Sequence, residues 1–362
     1  MENGLDTIRP SILIGSSGGK HCGTERRMPS SHDQRCSMDE ANGTNSRLEA
    51  GGRTPVPTEV LHASEVAARQ GGGRLVLVAS RRSDLPAFHL DELVEGLRRG
   101  RFYPQPPRQP LRELRFGPAD IHSLGLWSQN FSAWLPRRRE VERLGYRCWY
   151  RCTIMPDDPW CKPFAPPVDL QLRTLEDLVQ GATAGAVTVA VDPLIVYRRL
   201  GETDWRDNAP AAALERIFAA IAALGLPEVT TSLYDPYPRA EVRAKARGLV
   251  FANPGSPEGR PVYERVIQRF QGLAASMGLR VRTCAEPLLA DREGCSAGAC
   301  VDGARLNALF GPGASESPDK GQRRNKGCGC TRALDVGRSV EHGPLGHVCG
   351  HRCPQCYARA HR

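Results

Sequence analysis

Lysine is nearly missing from this chain, supplying 5 of the 49 basic residues and leaving the rest to arginine. With abundant Ala, Gly and Pro, that is the bias a GC-rich genome writes into any protein. Aromatic residues are scarce at 6%, so few rings are available to stack on nucleic-acid bases. Long apolar runs are absent: the longest, Phe218–Leu226, is about half the ~18 residues a membrane span needs. The first residues are acidic, and the apolar patch Ile12–Ile14 is too short for a signal-peptide core. The expectation is a cytoplasmic protein, neither secreted nor membrane-bound.

Cysteine is what the chain has in quantity. Thirteen in 362 residues is an odd count in a cytoplasmic-looking protein, which argues against a disulfide framework and for metal or redox chemistry. The net charge of +9 is unevenly placed. Residues 1–73 carry 8 cations and 9 anions, whereas residues 312–362 carry 9 and 4. More than half of the excess therefore lies beside the C-terminal cysteines.

Three regimes follow one another. Residues 1–73 are rich in Ser, Gly, Thr and Asn without sustained periodicity. They are expected to be a disordered leader, dispensable up to Gly72, with a short helix conceivable near Glu59–Arg69. From residue 74 to 311, six apolar runs alternate with helical stretches: Leu75–Ser80, Ser123–Trp127, Tyr146–Ile154, Ala186–Asp192, Glu228–Tyr234 and Leu279–Ala285. Six strand–helix repeats predict an α/β fold with a parallel sheet, a partial or closed (β/α) barrel first and an open doubly wound sheet second. Residues 312–362 form a cysteine-rich tail.

In such folds ligands meet the C-terminal ends of the strands. Here those ends carry Arg81, Arg82 and Asp84, then Asp192-Pro193, then Cys284-Ala285-Glu286. Arg81 and Arg82 suit a carboxylate or phosphate. Asp192 and Glu286 suit a ribose hydroxyl or an amine, although capping the following turn would explain an aspartate before proline equally well.

The tail reads Cys328-Gly-Cys330, then Cys349-Gly-His-Arg-Cys353-Pro-Gln-Cys356. Three thiolates spaced Cys-x-x-x-Cys-x-x-Cys wrap one corner of a 4Fe-4S cubane and leave its fourth iron open. An open iron binds S-adenosylmethionine in radical enzymes, which also need a reductant such as a flavodoxin or ferredoxin. The same cysteines, completed by Cys328 and Cys330 or by nearby histidines, also fit tetrahedral zinc. Zinc beside a basic tail would instead suit a nucleic-acid-binding module, a reading disfavoured because only Tyr357 is there to stack. A non-catalytic iron–sulfur protein, structural or electron-carrying, is the third reading. Cys284 and Cys300 join Cys328 and Cys330 as a possible second four-thiolate site, for an auxiliary cluster or zinc. Cys148 and Cys152 share one face of a strand and read as core.

Several stretches resemble one uncharacterised bacterial family, domain of unknown function 1848. They are Val78–Phe88, Val191-Asp192-Pro193, Thr283–Glu286, Ala299–Gly303, and the tail from Cys328 through Asp335-Val-Gly337 to Cys356-Tyr357-Ala358. The resemblance runs from about Leu75 to the C-terminus. It implies a barrel-like body and a C-terminal cluster motif like the radical S-adenosylmethionine signature, held by Cys349, Cys353 and Cys356, with no settled substrate. The chain departs from the family pattern at Gln355, where an aromatic residue is usual, and at the strand ends Trp127–Phe131 and Ala190–Pro193. The tail is expected to fold back over the barrel mouth and to face Arg81, Asp84 and Asp192.

Overall fold

The computed structural model describes Pro57 and residues 59–79, 81–104, 112–290, 292–319, 328–336 and 349–358. These belong to one unit, Thr54–Arg362. Most of the expected leader, with Cys22 and Cys36, lies outside the described residues.

Strand β1 (Glu59–His62) leads into α1 (Ala63–Arg69), β2 (Leu75–Ala79), α2 (Leu85–Phe88), α3 (Leu90–Arg99), β3 (Arg101–Phe102) and β4 (Arg112–Arg115). The middle of the chain holds β5 (Ile121–Ser128), α4 (Trp134–Arg143), β6 (Cys148–Thr153), α5 (Val168–Gly181), β7 (Val187–Ala190), β8 (Val196–Arg199) and β9 (Arg206–Asp207). It continues with α6 (Ala211–Ala223), β10 (Glu228–Thr231), α7 (Pro238–Ala246), β11 (Leu249–Phe251) and α8 (Gly259–Ser276). The last part contributes β12 (Arg280–Thr283), α9 (Pro287–Ala290), β13 (Cys295–Ala297), α10 (Gly303–Phe310) and β14 (Leu334–Asp335).

The main sheet has eight parallel strands in the order β13-β12-β10-β7-β6-β5-β2-β14. From β2 to β12 this order never reverses, which is barrel winding; a doubly wound sheet needs a reversal beside its first strand. Among the described residues β13 and β14 remain the two edges, so the barrel is partial. All six strands expected from the apolar runs are present and supply its centre. Central parallel strands are buried on both faces, which is why β2 reads Leu-Val-Leu-Val-Ala with every residue buried.

Helices cover the outer face. Helix α8 shows why: Tyr263, Val266, Ile267, Phe270 and Ala274 recur at helical spacing and are all buried. Cys148 and Cys152 point into the same outer core. The inner face is smaller, with Val76, Val78 and Trp149 meeting Val301 and Leu306. There α10 closes the end of the barrel where the strands begin. His122 Nε2 donates to the Gly311 carbonyl at 2.8 Å, and Arg147 Nη1 donates to that of Phe310. Arg305 reaches Glu228 Oε1 at 2.7 Å and the Gly185 carbonyl at 2.8 Å. With the lower end plugged, the upper end is the one left for a site.

The body extends further toward the N-terminus than the composition suggests. β1 pairs in parallel with β4 over four residues, and Arg332 Nη1 donates to the Arg69 carbonyl at 3.0 Å. Leu61, Ala63 and Ala67 are buried there.

Candidate functional site

The C-terminal ends of β2, β5, β6, β7, β10 and β12 surround one cavity of about 400 Å³, a volume typical of small-molecule sites. All seven cysteines singled out as metal ligands line it: Cys284, Cys300, Cys328, Cys330, Cys349, Cys353 and Cys356. Arg81 and Asp192 line it too. Asp84, Arg82 and Glu286 do not.

Asp84 has a different place. It is buried at 6% exposure and caps α2 by accepting the Ala87 amide at 3.2 Å. Its carboxylate also accepts Ser128 Oγ at 2.6 Å, the Gln129 amide at 2.9 Å and His351 Nε2 at 2.9 Å. One side chain thus joins the first strand's loop, the end of β5 and the cysteine loop. The ring of His351 packs edge-on against Phe88, with centroids 4.8 Å apart.

Further contacts hold the tail against the mouth. Tyr357 Oη donates to the Arg81 carbonyl at 2.8 Å. Arg243 of α7 donates to the carbonyls of Pro354, at 3.2 Å, and Cys356. The Arg352 guanidinium lies over the Phe164 ring. On the other flank β14 adds to the edge of β2, and Asp335 Oδ2 accepts the Arg81 amide at 2.7 Å.

Arg81 then lays its guanidinium over Trp127, 5.8 Å from the ring centroid, with Asp319 Oδ2 3.7 Å away. Asp192 accepts Ser232 Oγ and lies 3.6 Å from Arg151 Nη2. Glu286 is buried beyond β12, and Arg82 is half-buried in the first loop.

Burial raises the tail thiols. Cys349 is pushed up to about 11 by desolvation, and Cys353 to about 12 by desolvation and then by its neighbours Cys356 and Cys349. Such thiols ionise only against a cation, so a metal bound here would displace their protons. The donor set therefore fits a thiophilic iron or zinc centre. Among the described residues no three or more His, Cys, Asp or Glu side chains are already gathered as a group that could hold a metal ion.

The cavity also holds residues the sequence did not single out, among them Arg151, Cys161, Lys162, Tyr234 and Tyr237. Arg151 carried a readable signal, since it interrupts the otherwise apolar or small run Cys148-Trp-Tyr-Arg-Cys152 and is nonetheless buried. Lys162 bonds the Met155 carbonyl at 2.6 Å, and burial lowers its pKa. Nothing in its local sequence marks it.

Among the described residues no helix is long and apolar enough to cross a membrane. No curated protein matches this chain. A solved chain titled "Crystal structure of D-hydantoinase" is similar at 12% identity, with a TM-score of 0.25, over 58% of this chain and 38% of that one. This chain thus spans well under two thirds of that chain's length, and so distant a likeness supports no functional inference. The strand-end motifs and the cysteine tail lie together within residues 76–358, the stretch matched by the family model described as Domain of unknown function (DUF1848), and the chain belongs to that family.

Proposed function

We propose that this chain is a radical S-adenosylmethionine-type iron–sulfur enzyme, with a 4Fe-4S cluster held by Cys349, Cys353 and Cys356 at the barrel mouth. One observation carries the reading: the three tail thiols line the same cavity as the strand-end residues Arg81 and Asp192. When bound, such a cluster supplies the electron that cleaves S-adenosylmethionine reductively.

The remaining tasks fall to the chain. Arg81, braced by Trp127 and Asp319, offers a guanidinium to a carboxylate. Asp192 offers an acceptor to an amine or a ribose hydroxyl. Asp84, through His351, orients the loop that carries the thiols rather than touching a ligand. The plugged lower end and the docked tail keep bulk water away.

The test uses full-length protein purified and reconstituted without oxygen. Bound iron and sulfide should be present and should disappear when Cys349, Cys353 and Cys356 are all replaced by Ala. The reduced protein should convert S-adenosylmethionine slowly to 5′-deoxyadenosine, and Arg81→Ala and Asp192→Ala should slow this roughly tenfold or more while leaving the iron content unchanged. An intact, reducible cluster without cleavage would reassign the protein to a structural or electron-transfer role. Zinc in place of iron on the three tail cysteines would sink the reading.

A further inference from the structure

The seven cysteines of the cavity fall into two groups. Cys349, Cys353 and Cys356 belong to one short loop. The other four come from three separate segments: Cys284 follows β12, Cys300 precedes α10, and Cys328 and Cys330 lie just before β14. Cys284 Sγ is 3.2 Å from Cys300 Sγ, and Cys330 Sγ accepts the Cys300 amide at 3.1 Å. Cys328, two residues before Cys330, lines the same cavity as the other three. Cys284, Cys300 and Cys330 are thus linked by direct contacts, with Cys328 beside them on the same cavity wall.

A second observation is independent of the sulfurs. Arg151, on the inner face of β6, is 6% exposed and lines the same cavity; its Nη2 lies 3.6 Å from Asp192 Oδ2, beyond hydrogen-bond reach, and makes no hydrogen bond among the described residues. A buried guanidinium with an unused donor is costly. It faces thiols, which are weak acceptors when neutral and good ones as metal-bound thiolates.

Distances decide the kind of metal. A tetrahedral zinc with Zn–S of about 2.3 Å places its sulfurs about 3.8 Å apart. A cubane, with one thiolate on each iron, needs them roughly 6 Å apart. For Cys284 and Cys300, in contact at 3.2 Å, the first arrangement needs a shift of a few tenths of an ångström per residue. The second needs the segments to separate.

We propose that Cys284, Cys300, Cys328 and Cys330 hold one zinc ion as a closed tetrathiolate, distinct from the tail cluster, with Arg151 offsetting its negative charge. Two positive charges against four thiolates leave a net charge of −2, and the guanidinium neutralises half of it. With no open position the site is structural. It ties the 328–330 segment to the end of β12 and so fixes the point from which the tail crosses the mouth. The inference does not depend on the tail being an iron–sulfur site.

The experiment is elemental analysis of full-length protein purified without oxygen, beside a Cys349→Ala/Cys353→Ala/Cys356→Ala variant and a Cys284→Ser/Cys300→Ser variant. Zinc should be close to one per chain in the first two and lost from the third. Cobalt(II) supplied in place of zinc to the tail variant should give the intense absorption of a tetrahedral tetrathiolate. Arg151→Met should weaken zinc binding about tenfold in competition with a chelator, and Arg151→Lys should recover part of the loss. If the serine variant fails to fold, alkylation of the unmodified protein decides. Cys284, Cys300, Cys328 and Cys330 should be protected until zinc is chelated. Zinc that leaves with the tail cysteines, a Cys284–Cys300 disulfide in place of metal, or protection indifferent to the chelator would each overturn the proposal. Loss of the iron reading with zinc retained in the tail variant would leave it standing.

Discussion

Asp84 shows how one carboxylate can matter without facing a ligand. Its two oxygens collect the Ala87 and Gln129 amides, the Ser128 hydroxyl and the His351 ring. Asp84→Ala leaves buried donors without acceptors, at ~1–3 kcal/mol for each. We expect a stability loss of about 3 kcal/mol in thermal unfolding, together with faster proteolysis at Arg352 as the tail comes loose. Asp84→Asn, which keeps one acceptor oxygen, should lose less on both measures. That Asp84 sits in a polar loop after an apolar strand was legible from local sequence. Its task was not, because His351 lies 267 positions away. Arg151 was legible only as an oddity, a cation inside an apolar strand, since its partner Asp192 and the cysteines that share its cavity come from other segments.

Among the elements, the inner face of the sheet leaves little room. Gly125 of β5 is paired with Trp149 of β6, and a Cβ on Gly125 would come within 2.2 Å of the indole. Gly125→Ala must push Trp149 off Val76, Val78 and Leu306, which should cost about 1–3 kcal/mol of stability in denaturant unfolding. Of the eight main strands, the six central ones were readable as short runs rich in apolar or β-branched residues, wholly apolar in β2, where every residue is buried, and mixed with polar residues in β10 and β12. β13 and β14 were not readable. Their three and two residues carry no periodicity, and their pairing is imposed by the strands beside them. The short strands outside the main sheet, β3, β8, β9 and β11, escaped for the same reason.

For the whole molecule, the N-terminal strand and helix bind the body to its own C-terminal half. A chain beginning at Gly72 loses the β1–β4 pairing, the burial of Leu61, Ala63 and Ala67, and the Gln70 carbonyl that accepts Ser315 Oγ. At about 0.8 kcal/mol for each buried methylene, a loss near 3 kcal/mol is expected, lowering Tm by roughly 6 °C relative to a chain beginning at Pro57. Differential scanning calorimetry of the two chains checks this. Composition had placed this segment with the leader, because four strand residues and two turns of helix are too short to stand out from a Ser- and Gly-rich context.

By itself the sequence determined the class of fold and marked out the cysteines that line the cavity. Apolar runs at strand length, separated by helical stretches, leave few alternatives to a parallel sheet, and cysteines at fixed spacing declare themselves without neighbours. Tertiary structure alone decided that β13 and β14 stand at the two edges of the main sheet among the described residues. It alone brought all seven cysteines to one mouth, split them into a loop of three and a knot of four, and set Asp84 behind the wall rather than in it. Spacing along the chain fixes what a short loop can hold. Which distant segments share a point depends on strand order and register, and those come from packing across hundreds of residues.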